Sequence, residues 1–257
     1  MKTLVSIVTA ALITNATADE SMAKAVWISE ATEITQGDPV RTIIRMTVKE
    51  GWHTYWVNPG EGGMELSLKA ELPEGWTIGE LQYPVPKRFM TGELPGFGYE
   101  GEIDFPITLT PPSEASGALP PLNASLSWLT CNDDSCVPGD AELVLPGRVD
   151  AEAVSAAYEK LPQSIEGAKL GTNFEGKIAF LSVTLPEDSE IDPAECEFFP
   201  ITPNIIDPAA KPIFLKQRGS SVWLAAAEKS EYLSGSPEKL ELLLVSLDGN
   251  SWVVSTE

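Results

Sequence analysis

Leu126-Ser127-Trp128-Leu129-Thr130-Cys131-Asn132-Asp133-Asp134-Ser135-Cys136-Val137-Pro138-Gly139 begins as an apolar strand and breaks into a polar loop between two cysteines. Ala141, Leu143 and Leu145 then alternate with polar residues, the period of a half-buried strand returning from that loop. A hairpin closed by two cysteines sets the pattern for the rest of the chain. Ile44, Met46 and Val48 alternate with Arg45 and Thr47, and Ile103, Phe105, Ile107 and Leu109 alternate with Asp104, Pro106 and Thr108. Pro106 cannot donate to a ladder, so its strand is expected at an edge or at a bulge. Trp52-His53-Thr54-Tyr55-Trp56-Val57 is an aromatic strand that stops at Asn58-Pro59-Gly60, with Trp52 and Trp56 on one side and His53 and Tyr55 on the other. Short strands every 8–12 residues, with turn signals between them, point to an all-β protein built on an immunoglobulin-like β-sandwich.

Asp150 to Leu161 is the one convincing helix, since Asp150 can cap it and Pro162 ends it. Beyond it, Lys177–Leu185, Ile213–Lys216, Val222–Ala226 and Leu240–Leu247 read as strands, and Asp248-Gly249 as a hairpin turn into Trp252-Val253-Val254. The expected organisation is a sandwich at 19–148, a helical connector at 149–164 and a smaller second β domain at 165–257.

At the start, Met1-Lys2 precedes an apolar run from Leu4 to Ile13 and the small-residue site Ala16-Thr17-Ala18. That is the form of a secretory signal peptide spanning 1–18, too short for a membrane-spanning helix. Export to a periplasm is expected, where disulfides persist. The chain carries 38 acidic against 17 basic residues, a formal charge of −21, and both halves share the excess. With no basic patch to neutralise phosphates, nucleic acid and anionic membranes are excluded as partners, and the charge serves solubility.

The Cys-x4-Cys loop is not the Cys-x-x-Cys of thioredoxin-like proteins, and no helix follows it to lower a thiol pKa. As a staple, a ring of six residues contributes only about 2 kcal/mol. Short, exposed bridges are also the readily reduced ones, so the spacing leaves staple and redox tool both open. Asp133 and Asp134 disfavour a thiolate between them, which favours exchange with chosen partners over general oxidation. Cys196 reads as a buried thiol in a strand. Cys131, Cys136, Cys196 and His53, the only histidine, match no zinc spacing, and copper held by the two loop thiolates is the remaining metal option. Lone strand histidines are more often rim residues than bases. No Ser-His-Asp set, phosphate loop or carboxylate pair is evident, and no cofactor is expected.

Taken together, Gly51 to Gly60, the loop Phe97-Gly98-Tyr99-Glu100-Gly101, and Trp128-x-x-Cys131-x4-Cys136-Val137-Pro138 resemble the N-terminal periplasmic domain of the thiol:disulfide interchange protein DsbD, and within it the ScsB-like branch tied to copper tolerance. The motifs cover about residues 25–147, and the second half looks like the further β region of that branch. The resemblance implies an immunoglobulin-like sandwich that accepts electrons from a thioredoxin-like protein and hands them to periplasmic partners. Cys136 would form the mixed disulfide and Cys131 would resolve it. Phe97, with Tyr99 beside it, would form an aromatic cap over the pair, and His53, Tyr55, Trp128 and Pro138 would surround it. Members of the family continue into a transmembrane conduit and a thioredoxin-like domain, whereas this sequence runs to Glu257 without either, so a separate membrane electron donor is expected.

Overall fold

The structure is a computed structural model that describes residues 21–235 and 239–256. The signal-peptide segment lies outside the described residues. Among them, no helix is long and apolar enough to cross a membrane.

The protein is all-β with one helix. Its first unit is a sandwich of two sheets. One sheet places Ala23–Ser29, Val40–Val48 and Glu102–Thr110 side by side and antiparallel, flanked by Arg148–Val149 and Thr77–Ile78. The other runs Cys136–Leu145, Leu122–Cys131, His53–Gly60, Leu94–Tyr99 and Lys87–Thr91, with Ser67–Glu71 paired to the upper part of Leu122–Cys131. The alternation seen in the sequence sends Trp27, Ile44, Met46, Phe105 and Leu109 inward from one sheet and Trp56, Phe97, Leu126, Trp128 and Leu143 inward from the other. Each such side chain contributes about 1.5–3 kcal/mol on burial. On the outer face the cross-strand partners Arg45 and Asp104 form a two-pronged ion pair at 2.6 and 2.7 Å. Pro106 lies in a strand flanked on both sides, but its edge-side neighbour is only the two-residue strand Thr77–Ile78, which pairs at 109–110. Beside Pro106 that edge is filled by the loop after it, whose Gln82 N–H donates to the Pro106 carbonyl at 2.8 Å.

The helix Ala151–Glu159 is capped by Asp150, whose Oδ1 accepts the Ala153 N–H at 3.1 Å. It is more than a connector. Val154 and Ala157 cover Ile28 and Ile43, which point away from the sandwich core and are nevertheless fully buried. Tyr158 adds a hydroxyl contact to Thr108 at 2.8 Å and lies under the Arg41 guanidinium. The helix thus belongs with the first unit, whereas Gln163–Ser164 already pairs with Ser251–Ser255 of the second.

The second unit has two four-stranded sheets. One orders Gln163–Ser164, Ser251–Ser255, Glu241–Ser246 and Cys196–Pro200, and the other Lys169–Glu175, Ile178–Thr184, Val222–Glu228 and Leu215–Lys216. Lys169–Glu175 is a strand that its mixed composition concealed. The first of these sheets is apolar on both faces. Phe198, Leu242 and Leu244 point into the unit's own core, while Phe199 and Leu243, which are direct cross-strand partners, point into the core of the first sandwich. That double burial explains the uninterrupted apolar runs Phe198-Phe199 and Leu242-Leu243-Leu244-Val245. The core of the first sandwich therefore extends onto one face of the second unit's sheet, while the second unit keeps a core of its own on the other.

Candidate functional site

Cys131 and Cys136 are directly opposed residues at the end of the hairpin, with Cα atoms 4.1 Å apart, and they form a disulfide. Asn132 ties the four-residue loop between them: its Oδ1 accepts the backbone N–H groups of Asp134 at 3.0 Å and Ser135 at 2.8 Å. The two sulfurs have unequal surroundings. Cys131 is 0% exposed, whereas Cys136 lies on the exposed rim with Asp133, Asp134, Ser135 and Pro138.

Below the bridge, Trp128 and Gly139 face each other across the hairpin. The Trp128 ring lies on the bare Gly139 backbone, where a Cβ would fall 2.5 Å from its Nε1. That Nε1 is buried without a hydrogen-bond partner among the described residues. Trp128 therefore supports the hairpin from the core side, and Pro138 sits outside, opposite Leu129.

His53 is the cross-strand neighbour of Cys131 on the other side. Strand alternation puts His53 and Tyr55 on the same face. The hairpin Lys87–Thr91/Leu94–Tyr99 continues the sheet beside His53–Gly60, and the Phe89 and Thr91 side chains of its outer strand reach back over that face. The Phe89 ring centroid is 3.8 Å from that of His53 and 5.5 Å from that of Tyr55. Thr91 Oγ1 meets His53 Nε2 at 3.0 Å and the Tyr55 hydroxyl at 3.4 Å. At the hairpin tip, the space where Gly92 would carry a Cβ is 3.8 Å from the Asp133 carbonyl oxygen. The tip therefore reaches the cysteine loop itself.

The cap assigned to Phe97 needs correction. Phe97 is fully buried on the opposite face, packed edge-on against Trp56 and Phe199. Tyr99 likewise points inward, its hydroxyl donating to the Pro84 carbonyl at 2.7 Å and its ring against Phe105. The ring on the His53 face is Phe89, two strand positions before Thr91. It lies across Gly96 and Gly98, where a Cβ would come within 3.0 and 2.8 Å of it. The glycines on either side of Phe97 are the usable signal for this, since strand glycines mark a close approach. What they admit is the ring of the neighbouring strand.

Burial lowers the His53 pKa from its ordinary 6.5, and the more distant Glu100 and Asp133 carboxylates pull weakly the other way. The folded state thus prefers neutral His53, and the unfolded chain binds the proton more readily. Stability from this group is present above the unfolded value near 6.5 and is lost as pH falls below it. Denaturant midpoints measured from pH 7.5 down to 5.5 should fall further for the wild type than for His53→Gln. Parallel curves would exclude the buried neutral imidazole.

Cys196 stands apart from the pair, in the second unit. Burial first, then Asp192, Asp248 and Glu195, push its pKa to about 11. Its Sγ donates to the Asp192 carbonyl at 3.4 Å. It is a protonated thiol at neutral pH and a poor competitor for exchange.

Residues 24–147 match the family model described as thiol:disulfide interchange protein DsbD, N-terminal. Among solved structures, the N-terminal periplasmic domain of ScsB from Proteus mirabilis superposes with a TM-score of 0.63 at 19% identity, covering 91% of this chain and 90% of that one. The Escherichia coli adhesin FdeC (TM-score 0.23, 11% identity, 92% and 64% covered) and the YadV chaperone (0.20, 11%, 92% and 99%) are far looser likenesses of β architecture. A search of curated proteins finds no match. The cysteine hairpin, the aromatic strand and the hairpin paired beside it all fall inside the matched segment, and the ScsB likeness extends over both units: residues 24–147 are similar to the DsbD N-terminal domain family, and the fold as a whole is like that of the ScsB domain.

Proposed function

We propose that the protein exchanges thiols and disulfides with partner proteins in the periplasm through Cys131 and Cys136. One observation carries this reading: the bridge is half open, with Cys136 on the exposed rim and Cys131 fully buried beside His53. In the reduced protein the Cys136 thiolate attacks a partner disulfide, forming a mixed disulfide and releasing one partner sulfur as a thiolate. Cys131 then attacks Cys136 Sγ, which re-forms the internal bridge and expels the second partner sulfur. Two electrons and two protons pass to the partner. A thioredoxin-like dithiol, itself supplied by a separate membrane donor, reverses the sequence to recharge the pair.

The match to the DsbD N-terminal family, the periplasmic location of the similar ScsB domain and the export signal expected at 1–18 support the setting. Asp133 and Asp134 beside the bridge, with the tip at Gly92 reaching the loop, support partner-dependent rather than open reactivity. Phe89 and the hairpin tip take the covering role in this reading.

Cys131→Ser should accumulate mixed disulfides through Cys136, visible on non-reducing gels as adducts released by dithiothreitol, while Cys136→Ser should trap none. Equal trapping by both variants would overturn the assignment. A reduction potential below about −300 mV, the range of inert structural bridges, would overturn the exchange function itself and leave a binding module with a stapled loop.

A further inference from the structure

The hairpin that reaches the cysteine loop is gripped from behind by the second unit. Arg88 lies between Lys87 and Phe89, and strand alternation sends its side chain to the face opposite Phe89. Its Nε pairs with Glu197 Oε1 at 2.9 Å, one terminal nitrogen donates to the Pro208 carbonyl at 2.7 Å, and the other to the Phe198 carbonyl at 2.6 Å. The guanidinium carbon is 5.0 Å from the ring centroids of both Phe97 and Phe199. In the neighbouring strand, buried Asn58 donates to the Pro200 carbonyl at 2.7 Å. Every one of these acceptors, and Phe199, belongs to residues 197–208 of the second unit. One five-residue strand therefore carries a clamp on one face and, on the other, the Phe89 and Thr91 contacts to His53.

We propose that the second unit is a brace for the covering hairpin, and that Arg88 is the positioning residue that sets how readily the Cys131–Cys136 bridge is reached. An edge hairpin without such an anchor opens locally at little cost. With the anchor, its tip stays on the Asp133 carbonyl and Phe89 stays on His53. The inference rests on the exchange function for its purpose, but its test does not depend on that function.

The test is the rate at which excess dithiothreitol reduces the bridge in the folded protein with both units present. The reagent's thiolate attacks Cys136 Sγ and Cys131 leaves as a thiolate. The reagent's second thiol then closes on the first as a cyclic disulfide, freeing Cys136, so two electrons enter the pair. Arg88→Ala should be reduced about tenfold faster than wild type, as a local opening made that much more frequent. Arg88→Lys, which keeps the charge but not the planar three-way grip, should fall between them. The equilibrium constant with the reagent should move by less than about threefold, because opening exposes the site without favouring either redox state. Leu181→Ala weakens only the second unit's own core and should leave the rate within about twofold. Should Arg88→Ala not fold, Asn58→Ala removes one strut outside the hairpin and should give about threefold. An unchanged rate in the Arg88 and Asn58 variants, or an equal rise in Leu181→Ala, overturns the brace. A wild-type potential in the inert range instead overturns the exchange function and leaves the rate ratios to be read on their own.

Discussion

Gly98→Ala should cost the fold about 3–4 kcal/mol, an unusually large penalty for adding one methyl group. The Cβ would stand 1.9 Å from the Thr54 carbonyl oxygen and 2.8 Å from Phe89 Cε1. The first neighbour is backbone of the adjacent strand, which cannot swing aside as a flexible side chain can. The second is the ring that lies on His53. Relief requires parting Leu94–Tyr99 from His53–Gly60, and that separation passes directly to the face shared with Cys131. Gly101→Ala is the control. Its φ is +73°, but nothing lies within 4 Å of the added atom, so only backbone strain of about 1 kcal/mol is expected. Denaturant midpoints of the two variants check both values, and equal losses would show that the close approach at Gly98 is not real.

Arg88→Ala should lower stability by about 3 kcal/mol, or about 6–12 °C in melting temperature for a chain of this size. The Arg88 side chain is only 14% exposed, so little of its attraction is screened away. Desolvation lowers its pKa and Glu197 opposes that, but a guanidinium remains charged throughout. The loss has three parts. Two main-chain carbonyls, of Phe198 and Pro208, lose a charged donor. Phe97 and Phe199 lose the cation packed beside both rings. The seam between the units keeps a void where the side chain lay. Glu197→Gln should cost much less, under about 1 kcal/mol, because Glu197 is 54% exposed and its pair with Arg88 is screened. Thermal melts of the three proteins would separate these contributions. Similar losses for Arg88→Ala and Glu197→Gln would reduce the clamp to a surface ion pair.

Much of this fold was legible in local pattern. Period-two alternation located the main strands of the sandwich, and Asp150 with Pro162 bounded the helix within two residues. The opposed cysteines followed from a short polar loop between two such strands. Legibility failed where a residue's partner is far away in sequence. Phe97 and Phe89 are both aromatic residues in short strands, and the glycines flanking Phe97 mark a close approach without saying what makes it. Phe199, more than a hundred residues later, decides which ring faces inward by claiming Phe97 for the core of the first sandwich. Arg88 offered no signal either, since an arginine in a short strand ordinarily points to solvent. Its acceptors are carbonyls of the second unit, and main-chain acceptors carry no side-chain signature.

The sequence by itself determined the all-β class, the hairpin that opposes Cys131 to Cys136, and the placement of His53 and Tyr55 on one strand face. Those are consequences of backbone period and turn chemistry, which act over a few residues. Only the tertiary structure decided which cysteine is exposed, which ring lies on His53, and what holds that ring there. Each of these depends on segments tens to more than a hundred residues apart being brought to one face, and burial is a property of that assembly rather than of any single stretch.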